Sequence, residues 1–216
     1  MILAIPTMIV YSIIEKDFFI EAKQRIFSII IGICISIIYT FIDLFFTSPF
    51  YMNEYSFFPN FLHSFFFEII IPVGISALFI LLFIKKDQNK WYQLYFIALG
   101  FIAIYMPARI FNENTLYNWY LLFSKPIIML SMLYGLKNCI IFSYKYKEQI
   151  SKNLKTQIKI LSVTGIAFTY LLCLIIPSII DSAYILGIAD WLLAIITIFY
   201  SASMIIGTTF ANLKIK

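Results

Sequence analysis

Six stretches of this chain are long, apolar and almost free of charge: Ile26–Phe46, Phe61–Ile84, Trp91–Met106, Leu116–Phe142, Ile160–Ile180 and Ile188–Leu213. A helix needs ~20 such residues to cross the hydrocarbon core of a bilayer. The third stretch is the shortest and can extend to Ile110. Only 12% of the 216 residues are charged and 62% are hydrophobic, against about 25% charged in a soluble domain. A buried core cannot absorb that excess. The expected fold is an all-α polytopic membrane protein, one integral membrane domain over residues 1–216, its long spans arranged as three hairpins.

An earlier apolar piece, Met1–Ile14, reaches only about 21 Å as a helix. It lacks the basic start and small-residue cleavage site of a signal peptide. It reads as a short seventh span, with an interfacial segment as the alternative. The three hairpins begin near residues 26, 91 and 159, so the topology repeats although the sequence does not.

The distribution of charge orients the bundle. All Lys and Arg residues except Arg109 and Lys125 fall in or beside the segments 15–25, 85–90 and 144–159, at Lys137, or in the tail. The opposite side carries Asp43, Glu54, Glu68, Glu113, Asp181 and Asp190. The positive-inside rule makes the basic side cytoplasmic, with the N-terminus outside, the C-terminus inside, and the cell (inner) membrane as the location. The same rule accounts for the net charge of +5 without nucleic acid as a partner. Within 144–159, apolar residues recur at helical spacing and the lysines take other faces. This is expected as an amphipathic surface helix attracted to anionic lipids, or as a helical extension of the next span.

Cys34, Cys139 and Cys173 lie in apolar runs without a CxxC pair, and His63 is the one histidine. Neither a thiolate nor a histidine metal site is expected, nor any cofactor. There is no P-loop, GxGxxG, GxSxG or HExxH, so no catalytic residue is assigned.

Candidate binding residues follow from cost. A carboxylate at mid-span costs about 2.5–3.5 kcal/mol on insertion scales and persists when paired or solvated. Glu68 sits about 11 Å below the outer end of its helix at ~1.5 Å per residue. Lys125 sits at similar depth in another helix running the same way, so the two are expected to pair. Pro72 and Pro126 follow these residues, and Pro177 interrupts a third span. Each is expected as a helix break, Pro72 freeing the carbonyl of Glu68 and Pro126 that of Leu122, four residues back. Such a carbonyl needs a partner, whether water, ion or ligand. His63, Ser64, Asp43, Arg109, Asp181 and Asp190 lie at the same outer level and complete a candidate polar vestibule. The ordinary alternative for the acidic ones is an interfacial position. Trp119, Tyr120 and Trp191, with the aromatic loop 48–61, read as an outer aromatic belt. Ser28, Gly32 and Ser36 form a row of small residues for close helix packing, within the chain or with another subunit.

In size and topology the chain resembles the substrate-binding membrane subunits of modular vitamin importers and the seven-helix sensor modules of bacterial kinases, a likeness of architecture alone. Three functions remain open. The first is a transporter or transporter subunit with an outward-facing polar site. The second is a scaffold, assembly or sensory subunit of a larger membrane complex. The third is an outer-leaflet lipid-modifying enzyme using His63 and Glu68.

Overall fold

The computed structural model describes residues 22–43, 56–84, 88–112, 119–153 and 156–208. The expected short first span, Glu54, Glu113 and most of the aromatic outer loop lie outside these residues, as does the Arg109 side chain. Every regular element among them is helical, and six helices are long and apolar enough to cross a membrane. The protein is a multi-pass membrane protein.

We label the spans in chain order. Helix α1 is Ala22–Ile42. Helix α2 is Phe57–Phe83, with a wider π-helical turn at Ser64–Ile70. Helix α3 is Gln93–Asn112, led in by a 3-10 turn at Gln88–Tyr92. Helix α4 opens with a π turn at Tyr120–Ser124 and continues over Lys125–Asn153. Helix α5 is Thr156–Ile185, and α6 is Asp190–Ala202 followed by a π turn at Ser203–Gly207. Among the described residues, the basic segment 144–159 shows the helical extension rather than a separate surface helix. It is shared between a helical extension of α4 to Asn153 and the start of α5 at Thr156.

Burial divides the spans by role. About 78% of the spanning part of α4 is inside the protein, against 22% for α5. Helix α4 is therefore the axis, touching α3, α5 and α6; α3 is also mostly buried, while α1, α2, α5 and α6 turn broad apolar faces such as Phe168, Leu171, Ile198 and Phe199 outward. In a bilayer those faces meet lipid, so their exposure is no liability.

The closest pairing is between α1 and α3, two parallel helices joined by the small-residue row. A Cβ on Gly32 would fall inside the Ile97 carbonyl oxygen, and one on Gly100 inside that of Ile29. Each glycine thus admits the other helix's backbone, one turn apart. Ser28 donates to Gln93 Oε1 at 2.9 Å, and Tyr39 packs on Phe101 and Tyr105 at 5.6 and 5.5 Å between ring centroids. The row from Ser28 through Gly32 is therefore spent inside the chain, which removes it as a subunit-docking surface.

The prolines do not break their helices. Pro177 and Pro107 lie within continuous α5 and α3. At Pro72 the preceding turn widens, so Ile71 N–H reaches Phe66 O, five residues back. The carbonyl next in that register is Phe67 O, which would need the N–H that Pro72 lacks. The Tyr39 hydroxyl donates to it from α1. At Pro177 the carbonyl left over is Cys173 O, and Tyr200 of α6 donates to it at 3.1 Å. The expectation that the carbonyl freed at Pro72 is that of Glu68 and awaits water, ion or ligand is corrected: it is Phe67 O, and a tyrosine from a neighbouring span fills the gap, as another does at Pro177.

Helix α5 ends in a left-handed Gly187, with φ +78°. Gly187 N–H bonds Tyr184 O at 2.9 Å and Ile188 N–H bonds Ala183 O at 3.1 Å, the paired bonds of a Schellman stop. This tight turn starts α6 at Asp190, whose carboxylate favours the positive end of the helix dipole.

Candidate functional site

Three charged side chains from three helices meet at the end of the bundle opposite the lysine-rich one. Glu68 comes from the π turn of α2, Lys125 from the first α-helical position of α4, and Asp181 from one turn inside the end of α5. Lys125 Nζ lies 2.6 Å from Glu68 Oε2 and 2.8 Å from Asp181 Oδ1. All three are almost fully buried, at 3%, 4% and 3% exposure. The pairing of Glu68 with Lys125, expected from depth, is present, and Asp181 joins it as a second carboxylate.

Local structure delivers each group. The π turn ahead of Pro126 places Lys125 just below Tyr120, and Lys125 N–H closes that turn on Tyr120 O. The Tyr120 hydroxyl donates to Asp181 Oδ1 at 3.1 Å, while its ring stacks on Tyr184 at 4.2 Å. Tyr120 is therefore a buried ligand of the carboxylate rather than part of the aromatic belt. Trp119 and Trp191, both about two-thirds exposed, remain outward-facing. Ser64, one turn before Glu68, donates to Oε2 over a long 3.5 Å.

The remaining candidates lie apart from this cluster. Asp43 is held at the end of the α1–α3 seam by the Tyr105 hydroxyl at 3.1 Å. Asp190 is exposed at the start of α6. His63 is half-buried, its ring 5.3 Å from Phe67, and its Nδ1 has no hydrogen-bond partner among the described residues. The candidate vestibule reduces to Glu68, Lys125, Asp181, Ser64 and Tyr120.

The space left among these groups is a cavity of about 10 Å³, bounded by Ile128, Met129 and Pro177 as well as the polar residues. That is about the room one water needs, ~10–15 Å³. In this conformation the cluster admits nothing larger than a water or a bare monovalent cation. Among the described residues no group of three His, Cys, Asp or Glu side chains is arranged to hold a metal ion.

A second buried ammonium lies deeper in α4. Lys137, 2% exposed, lies 4.1 Å from the Tyr134 ring centre and 5.0 Å from that of Tyr92. Read from sequence, it counts only toward the positive side of the protein. The tyrosine three residues earlier on the same helix is the signal that could have marked it as caged, since i, i+3 residues share a face. Cation–π contact of this kind is worth ~2 kcal/mol when desolvated.

Comparison with known protein families, with curated proteins and with solved structures returns no match.

Proposed function

We propose that this chain is a transporter, or the membrane subunit of one, with Glu68, Lys125 and Asp181 as its binding centre. One observation carries the reading: three ionisable side chains from separate helices converge, almost fully buried, within the spans. Replacing a buried ion group by apolar residues of similar volume is often neutral or stabilising by ~1–4 kcal/mol. A structural need alone is therefore a weak reason to keep such a cluster. Buried charges within spans characteristically mark substrate and ion pathways. Tied to α2, α4 and α5 at once, the cluster changes shape if any of the three moves. A substrate larger than a water requires them to part.

The test is solute uptake by cells expressing the chain, screened across ionic solutes, with Glu68→Gln as the diagnostic variant. Uptake that disappears while membrane abundance holds supports the proposal. Uptake that survives Glu68→Gln overturns it.

The small enclosed volume favours a second reading, in which the cluster is a clamp within a scaffold or assembly subunit. That reading expects Glu68→Gln to reduce abundance or partner assembly. It also expects Glu68→Asp, which keeps a carboxylate for Lys125, to retain them.

A further inference from the structure

At the lysine-rich end, α4, α5 and α6 separate around a cavity of about 490 Å³. Its walls include Asn138, Phe142, Gly165, Thr169, Gly207 and Thr208. The volume falls in the range of small-molecule sites, ~300–1,000 Å³. Gly165 and Gly207 hold it open: a Cβ on either would meet nothing within 4 Å.

Three polar side chains of the wall spend their donors within it. Thr169 donates to Gly165 O at 2.9 Å, Asn138 Nδ2 donates to Thr208 Oγ1 at 2.9 Å, and Thr208 donates back to Met204 O. What faces the space is mainly hydrocarbon, so a hydrocarbon chain fits it better than water or a polar solute. The wall residues sit at the ends of their spans, which run over Tyr120–Ser143, Val163–Ile185 and Asp190–Gly207. Immediately beyond, the sequence from Tyr144 to Leu161 carries Lys145, Lys147, Lys152, Lys155 and Lys159 against the single Glu148. At 1.5 Å per residue, Lys145 is about 5 Å along the helix from Phe142, and Lys159 about 9 Å from Gly165. An apolar slot thus adjoins a strongly cationic segment at the membrane boundary.

We infer that this cavity is a binding site for an anionic phospholipid, with one acyl chain between α4, α5 and α6 and its charge matched by the lysine-rich sequence that continues from the wall. Lysines beside an anionic surface attract it. The site belongs to the opposite end from the Glu68 cluster and does not depend on its role.

The experiment is native mass spectrometry of the full chain, delipidated in mild detergent and then mixed with phosphatidylglycerol or phosphatidylcholine. The wild type should retain one phosphatidylglycerol, roughly tenfold more tightly than phosphatidylcholine, as one or two lysines would provide. Gly165→Leu should fill the slot and abolish retention while thermal unfolding stays unchanged. A second variant, Lys145→Gln with Lys147→Gln, should abolish the preference and leave the fold intact. Equal retention of both lipids overturns the inference, as does retention that survives Gly165→Leu. So does a dimer that Gly165→Leu dissociates, which would make the slot an interface between copies.

Discussion

Helices α4 and α5 meet other spans at both ends, and the two ends are built on opposite rules. Where α2 joins them, long polar side chains fill the junction until about 10 Å³ remains. Where α6 joins them, Gly165 and Gly207 leave about 490 Å³. The same small residues that open this space close another: Gly32 and Gly100 bring α1 and α3 into backbone contact. Spacing alone does not decide which happens. On α1 and α3 each glycine faces the other helix's backbone, whereas Gly165 and Gly207 face empty space that no described residue enters. A small residue in a span is an invitation, and its effect depends on whether anything arrives.

Graded substitutions can break this contrast. Lys125→Leu should have the largest effect. It leaves Glu68 and Asp181 buried without their shared ammonium, and removing one partner of a buried pair costs about 3–5 kcal/mol. Unfolding in detergent should shift to much lower temperature, and a shift no larger than that of a surface variant would mean the cluster is hydrated. Tyr200→Phe removes the donor to Cys173 O, and hydrogen bonds between membrane helices average ~0.6 kcal/mol with a maximum near 1.7. Tyr39→Phe should match it in size at Phe67 O, so equal losses in the two variants would sharpen the view that each tyrosine serves a proline. Smallest of all, Gly165→Leu should change stability by less than about 0.5 kcal/mol, like a surface substitution. If instead it destabilises as much as Gly100→Leu, the slot is closed in the membrane and the contrast fails.

Much of this was legible from residues because bilayer thickness turns position into depth. Glu68 and Lys125 could be paired because each lies a countable number of residues from its helix end. Asp181 could not, since it reads as the end of a span that in fact runs on to Ile185. Tyr120 reads as a belt residue by type, yet the π turn carries it inside to Asp181. Pro72 and Pro177 announce missing N–H groups, but the sequence does not say which neighbour supplies a donor. That depends on which helix lies alongside. The row at Ser28 and Gly32 was readable by spacing, and its partner was not, because Gly100 sits in a span two crossings later. The slot at Gly165 was invisible for the same reason: glycine in a span predicts contact, and only the arrangement of all three helices reveals its absence.

The tyrosine bonds at Phe67 and Cys173 have a mechanical side. A backbone hydrogen bond stiffens its own helix; a hydroxyl reaching across from another helix stiffens the join between two. Helices α2 and α5 are each missing an internal strut close to the charged cluster, Glu68 being next to Phe67 and Asp181 one turn past Pro177. At those points each is held in line by a latch from outside, Tyr39 on α1 and Tyr200 on α6. Any movement of α2 or α5 about its proline would have to break the tyrosine bond that spans the gap there.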